Sequence, residues 1–165
     1  MAYAKEVEGK YLNSDCVENA IKYICNPYKT PSGYIGGLSV IPTSPEDIIM
    51  QFKAVKEIFH KEDGKQIRHF IVSFSPYQQL VQEKLFEMAM MIAGYYAEKY
   101  QIVFAIHEDR IYQHIHFIMN TVSFRDGKKH DFDRADYFGF MNHIAIVTNL
   151  SCLNIIEMIE AFEID

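Results

Sequence analysis

Apolar residues recur every three or four positions in four segments of the chain, the spacing that one buried face of an α-helix requires. Polar residues that can cap a helix precede the first segment and Asn26-Pro27 ends it, while Ser44-Pro45 begins the second. The pattern predicts helices over residues 14–25, 45–60, 77–99 and about 134–148.

Other segments are rich in β-favouring residues and end at turn residues. They predict strands over 33–40, 66–74, 101–107 and 112–122, with a further short strand near 2–8. Because only a short loop over 108–111, with the polar Glu108-Asp109-Arg110, separates the last two strands, we expect them to form a hairpin. The segment 152–165 fits either a strand or a helix.

This order of elements predicts an α+β fold in which helices cover a central antiparallel β-sheet of about five strands. No internal repeat, low-complexity tract or glycine/serine linker interrupts the sequence, and 165 residues are enough to bury a core. We therefore expect a single domain over residues 1–165.

The composition, with 49% hydrophobic and 23% charged residues, is typical of a water-soluble globular protein. The apolar stretches are shorter than the roughly 20 residues of a bilayer span, and the N-terminus has no apolar signal segment. Cys16, Cys25 and Cys152 lack paired spacing, so we expect reduced, structural cysteines. These features predict a cytoplasmic protein with no membrane partner.

The formal net charge of −6 comes mainly from the C-terminal part of the chain. Residues 135–165 contain five acidic residues and no lysine or arginine, which leaves 17 acidic and 16 basic residues, a charge of −1, in residues 1–134. A near-neutral body can carry a local basic groove, but it does not predict strong nonspecific attraction to phosphate.

Three histidines lie within or beside the predicted hairpin. Side chains alternate along a strand, so His114 and His116 share one face. With a loop over 108–111, His107 opposes Tyr112 and is a diagonal neighbour of His114 on that same face. Three neutral imidazoles can hold one divalent cation and leave coordination positions open for chemistry.

A carboxylate of Glu108 or Asp109 could orient one of these imidazoles by accepting its N–H. The alternative is that each histidine is an ordinary surface or hydrogen-bonded core residue. We assign that ordinary role to the remaining histidines, which are His60, His69, His130 and His143.

Three separated motifs resemble those of one known family. The first is A-I-K-Y-I at 20–24, which contains Tyr23 and precedes N-P-Y-K-T at 26–30; the second is R-H-F-I-V-S-F at 68–74, which contains Ser73. The third is H-x-D-x-x-x-x-H-x-H-x-x-x-N at 107–120. Together they resemble the relaxases of conjugative and mobilisable elements, in the single-tyrosine, MobA/VirD2-like branch of the HUH endonuclease superfamily.

The resemblance implies a nuclease that nicks single-stranded DNA at an origin of transfer. The Tyr23 hydroxyl would attack a phosphodiester, forming a covalent 5′-phosphotyrosine and a free 3′-hydroxyl. A divalent ion, Mg²⁺ or Mn²⁺, would be held by the three histidines of the third motif, which are His107, His114 and His116.

The resemblance also suggests roles for other residues and partners. Ser73 and Asp109 would belong to the catalytic site. Accessory mobilisation proteins are further partners that the family suggests. The residues predicted to contact DNA are Lys22, Lys29, Arg68 and Asn120.

The assignment of the nucleophile leaves alternatives open. Tyr23 also fits a core aromatic residue on the apolar side of its helix, and some related relaxases use a histidine instead. Tyr28, followed by Tyr11 and Tyr34, is the next candidate. The basic residues also fit solvated surface charges.

Two other functions are compatible with the motifs. A rolling-circle replication initiator of the same superfamily usually carries its tyrosine after the histidine motif, where Tyr137 is the only one. A noncatalytic DNA-binding module with the same fold is the second. Because relaxases usually carry a long C-terminal extension, the sequence is also compatible with the N-terminal part of a longer protein.

Overall fold

The computed structural model of the protein describes residues 2–131 and 133–152. Four helices and five strands occur in this part of the chain. In chain order they are β1 (Ala2–Glu6), α1 (Asp15–Ile24), β2 (Ile35–Leu38), α2 (Pro45–Ile58), β3 (Ile67–Phe74), α3 (Gln82–Ala93), β4 (Ile102–His107), β5 (His114–Asn120) and α4 (Arg134–Cys152).

The five strands form one antiparallel sheet in the order β1-β3-β5-β4-β2. This confirms the predicted α+β fold with a five-stranded antiparallel sheet. Of the segment 152–165, only Cys152, the last residue of α4, lies within the described residues. No helix in the described part of the chain is long and apolar enough to cross a membrane.

Helices cover both faces of the sheet. On one face, α3 and α4 pack against a core that includes Phe70, Phe104 and Phe117. On the other, α1 and α2 pack against residues such as Val103 and Ile118. Every residue of β4 and β5 is buried, because these strands lie in the middle of the sheet between the two helical layers.

Two predicted boundaries differ from the structure at the same end of the sheet. The third helix begins at Gln82 rather than near residue 77. The hairpin loop covers 108–113, so it is two residues longer than predicted. Gln113 explains both differences, because its side-chain amide accepts from the Leu80 backbone N–H at 2.9 Å and donates to the Leu80 carbonyl at 2.7 Å. These bonds tie the two loops together.

Candidate active site

The hairpin brings three imidazoles together on the face covered by α1 and α2. His107 of β4 pairs directly with His114 of β5, and His116 lies two residues farther along β5, opposite Ala105. The predicted diagonal placement of His107 was therefore wrong, because the longer loop shifts the register. One ring nitrogen of each histidine lies within 4.8 Å of the others, and all three residues are buried.

Each of these imidazoles uses one nitrogen in a hydrogen bond. His107 donates from Nε2 to the Ile24 carbonyl at 2.8 Å, and His114 donates from Nδ1 to the Tyr112 carbonyl at 3.2 Å. His116 Nδ1 lies 2.8 Å from His69 Nε2. The nitrogens left for a ligand are therefore Nδ1 of His107 and Nε2 of His114 and His116.

The remaining nitrogen of His107 supports a cation site directly. Its Nδ1 atom is fully buried and has no hydrogen-bond partner among the described residues. A buried polar atom without a partner is costly unless a ligand satisfies it. Together with Nε2 of His114 and Nε2 of His116, this nitrogen fits a divalent ion that accepts imidazole ligands and keeps open positions.

Burial also keeps the cluster in the protonation state that metal binding needs. It lowers the pKa of His107 and His114, and burial together with the neighbouring histidines lowers the pKa of His116 to about 2. The imidazoles are therefore neutral near pH 7, and a neutral imidazole offers a lone pair to a cation.

His69 is the residue next to this cluster that the sequence interpretation missed. It lies on β3, on the same face as Ser73, and its ring contacts His116 on one side and the Tyr11 hydroxyl, at 3.4 Å, on the other. Burial lowers its pKa to about 4. Strand alternation could have indicated its position, because residues 69, 71 and 73 share a face and the family motif already placed Ser73 near the site.

Tyr23 faces the histidines from the C-terminal end of α1. Its ring is edge-on to both His107 and His116, with centroid distances of 5.9 and 5.7 Å. The hydrogen bond from His107 to the Ile24 carbonyl ties this end of the helix to β4. Because Tyr23 remains 44% exposed, it is accessible to a ligand and is not a core aromatic residue.

The other candidate tyrosines have different surroundings. Tyr28 is 91% exposed, and the Tyr34 hydroxyl donates to Glu83 at 2.8 Å. Tyr11 reaches the cluster only through its contact with His69. Tyr23 is therefore the candidate whose ring directly contacts the histidine cluster.

Lys29 and Asp109 form an ion pair beside Tyr23. Lys29 Nζ lies 3.0 Å from Asp109 and 5.0 Å from the centroid of the Tyr23 ring. The other carboxylate oxygen of Asp109 lies 3.8 Å from His114 Nε2. Partial burial opposes ionisation, but Lys29 holds the pKa of Asp109 below its usual range. The pair therefore places one positive and one negative charge at the edge of the histidine cluster.

A small cleft of about 160 Å³ opens beside Tyr23 and the histidine cluster. Ser73, which pairs with His114 across the sheet, lines it together with Tyr23 and His116. Lys5 and Arg110 also line it and bring positive charge. No sequence motif pointed to these two cations, because β1 and the hairpin loop meet only in the folded chain.

Two predicted DNA contacts lie where DNA could not reach them. Arg68 is only 2% exposed, lies on the opposite sheet face from the histidines, and forms two hydrogen bonds of 3.0 and 3.1 Å to Glu6. Asn120 is fully buried and donates to the Phe52 carbonyl and to Gln101. Neither side chain is therefore open to DNA as predicted, because both are buried and bonded within the fold.

Lys22 and Lys29, the other two predicted contacts, are separated in the structure. Lys22 is exposed on α1 and pairs with Glu18 at 2.6 Å, in a surface groove between α1 and α2. Lys29 lies at the histidine cluster. Of the four residues predicted to contact DNA, Lys29 is therefore the one the fold brings to the candidate site.

Comparisons with known proteins show to which family the chain belongs. The family model "Relaxase: MobA/VirD2-like, nuclease domain" matches residues 23–150. The chain is 30% identical over 146 residues to the group II intron-interrupted relaxase LtrB of Lactococcus lactis, covering 72% of this chain and 25% of that protein. It is also 30% identical over 79 residues to the protein rlx of Staphylococcus aureus, covering 48% of this chain and 25% of that protein.

A solved structure reported as "Molecular Basis of Vancomycin Resistance Transfer in Staphylococcus aureus" shares the fold, with a TM-score of 0.59, 11% identity and 92% coverage of both chains. The chain spans about a quarter of the length of the curated relatives it matches. The family match includes Tyr23, the second strand motif and all three clustered histidines. The chain therefore belongs to the relaxase family, as a nuclease domain of the MobA/VirD2-like type.

Proposed function

We propose that this domain nicks single-stranded DNA at an origin of transfer and holds one product covalently on Tyr23. The observation that carries the proposal is the convergence of three neutral imidazoles on one point with the Tyr23 ring within 6 Å of two of them. Family membership supports the same reaction class.

The proposed reaction is a transesterification. The Tyr23 hydroxyl oxygen forms a bond to phosphorus while the bond from phosphorus to the 3′ oxygen breaks. The proton that leaves Tyr23 is balanced by the proton that the released 3′ oxygen gains. The products are a 5′-phosphotyrosine and a free 3′-hydroxyl, and the phosphodiester energy is kept for rejoining.

His107, His114 and His116 would hold the divalent ion, Mg²⁺ or Mn²⁺. When bound, the ion supplies Lewis-acid chemistry that offsets the negative charge of the phosphodiester. The histidines hold their free nitrogens in fixed positions, because each ring is anchored through its other nitrogen.

The residues around Tyr23 favour the charged species of this reaction. Lys29 lies over the tyrosine ring and stabilises negative charge that develops on the phenol oxygen, while Asp109 fixes the position of Lys29. Ser73 can donate a hydrogen bond to phosphate in the cleft, where Lys5 and Arg110 attract the DNA backbone.

The rolling-circle alternative is not favoured by the fold. Tyr137, the tyrosine that it would require, lies on α4, which packs on the opposite face of the sheet from the histidines. The noncatalytic alternative predicts DNA binding without covalent attachment. Accessory mobilisation proteins are proposed partners by family membership alone.

The test is a search for the covalent adduct. A pool of labelled single-stranded oligonucleotides with random sequence is incubated with the domain and Mn²⁺ or Mg²⁺, and adducts are detected on denaturing gels. We expect a metal-dependent adduct that Tyr23→Phe abolishes, while Tyr28→Phe and Tyr11→Phe retain it. An undiminished adduct in Tyr23→Phe would refute the nucleophile, and the lack of any adduct with the unaltered chain would refute nicking.

A further inference from the structure

We infer that a cavity beside Tyr23 binds one nucleobase of the DNA strand, at a nucleotide adjoining the scissile phosphate. The inference rests on the proposed nicking function and adds a substrate-binding site to it. The cavity has a volume of about 480 Å³ and lies between α1 and β3, with β5 behind it. Ligand sites of a few hundred Å³ with mainly apolar walls and a few polar groups are typical of proteins.

The position of the cavity relates it to the reacting phosphate. Tyr23, Ile71 and His116 line both this cavity and the cleft that contains Ser73. A base is joined to its phosphate through one sugar. A strand whose phosphate occupies the cleft therefore has a base of a flanking nucleotide within reach of the cavity.

The walls exclude a charged occupant. Among the described residues that line the cavity there is no lysine, arginine, aspartate or glutamate. A phosphate would find no lysine or arginine there, whereas a flat, uncharged ring finds the phenol rings of Tyr11 and Tyr23 and the aliphatic Ile71. Stacking on aromatic rings is how proteins hold single-stranded bases, and every base offers such a face.

Asn19 provides a polar group that can distinguish one base from another. It is exposed on α1, one helical turn before Tyr23, so both side chains project from the same side of the helix. Its amide both donates and accepts hydrogen bonds, which matches the mixed edge of a nucleobase. We therefore expect a preference for one base at this position rather than equal binding of all four.

The test measures base binding without requiring DNA cleavage. The isotope-labelled chain is titrated with each of the four deoxynucleoside 5′-monophosphates and, as a control without a base, with deoxyribose 5-phosphate, and is followed by NMR. We expect base-dependent shifts at Tyr11, Asn19 and Tyr23, strongest for one nucleotide. The same shifts with deoxyribose 5-phosphate would overturn the inference.

Two variants and a matched control sharpen this test. Asn19→Ala should weaken binding of the preferred nucleotide about threefold to tenfold, the effect of losing one hydrogen bond. Asn142→Ala, the same change at an exposed position of α4, should leave it unchanged. Cys16→Phe should fill the cavity and remove the base-dependent shifts while the spectrum stays dispersed. Equal binding by Asn19→Ala and Asn142→Ala would contradict the assignment of Asn19.

The result separates this inference from the proposed function. Base-dependent shifts in a chain that forms no adduct would support the cavity and refute nicking. An adduct without base-dependent shifts would support nicking and refute the cavity. Tyr23→Phe keeps the aromatic wall, so it should lose the adduct and retain nucleotide binding.

Discussion

His69 Nε2 lies 2.8 Å from His116 Nδ1, so one buried imidazole positions another. If His116 offers Nε2 to a cation, its Nδ1 carries the proton and donates a hydrogen bond to Nε2 of His69. His69 then carries its own proton on Nδ1, which faces the Tyr11 hydroxyl at 3.4 Å. The nitrogen of His116 that binds the cation therefore determines which ring nitrogen carries the proton in both histidines.

Replacing His69 should therefore weaken metal binding, although His69 is not itself a metal ligand. We expect His69→Ala to lower Mn²⁺ affinity about 10-fold to 100-fold, the usual effect of removing a partner that orients a ligand. Isothermal titration calorimetry measures the affinity. His69→Gln, whose carbonyl can accept from His116, should recover part of it.

The control for this prediction is His143→Ala, because His143 lies on α4 and bonds to the Met91 carbonyl, away from the cluster. Its metal affinity should equal that of the unaltered chain. Unchanged affinity in His69→Ala would show that His116 holds its orientation without His69.

Metal binding should stabilise the fold, because the three ligands come from two strands that must be paired. At a free ion concentration of a hundred times Kd, the expected gain is about 2.7 kcal/mol in the free energy of unfolding. Thermal unfolding with Mn²⁺ and with EDTA measures it. The stabilisation should disappear in His114→Ala and in His116→Ala.

His143→Ala is again the control, and it should show the full metal-dependent rise in Tm. A rise of equal size in the two ligand variants would mean that the ion binds elsewhere. That outcome would refute the assignment of the histidine cluster as the metal site.

Strand alternation alone was enough to place His114 and His116 on one face, because the period of two does not depend on the rest of the fold. It also held information that the motif-based interpretation did not use. Arg68 and Ser73 are five residues apart on one strand, so their side chains must lie on opposite faces. That parity separates Arg68 from the histidine cluster.

The register of the hairpin could not be predicted in the same way. The position of His107 depends on loop length, and the loop is fixed by the bonds between Gln113 and Leu80, two residues 33 positions apart in sequence. The placement of Lys5 and Arg110 around one cleft depends likewise on the order of strands in the sheet. Local patterns contain no information on such long-range contacts.

Buried neutral histidines should make the fold sensitive to acid. In the unfolded chain, imidazoles take up protons below about pH 6.5. In the folded chain, burial lowers the pKa of His69 to about 4 and that of His116 to about 2. The unfolded state thus binds more protons below pH 6.5, so the free energy of unfolding falls as the pH falls from about 6.5.

Urea unfolding without metal at several pH values between 7.5 and 5 measures this dependence. Each such histidine contributes a slope of at most about 1.4 kcal/mol per pH unit. His116→Gln should reduce the slope by about one such contribution. The matched control is His60→Gln, at an exposed position that leaves the buried histidines in place. Parallel pH profiles for His116→Gln and the unaltered chain would contradict the prediction.

Arg68 should matter for folding rather than for DNA binding. Its guanidinium bonds Glu6 on β1 and lies 3.0 Å from His130 and 3.7 Å from Asp136, so it connects β1 and β3 with the start of α4. Removing one partner of a buried ion pair leaves the others uncompensated, and Arg68→Ala should cost about 3 kcal/mol in the free energy of unfolding. Lys22→Ala, an exposed control, should stay within about 0.5 kcal/mol. Chemical denaturation measures both, and an Arg68→Ala variant as stable as Lys22→Ala would show that this network is not needed for the fold.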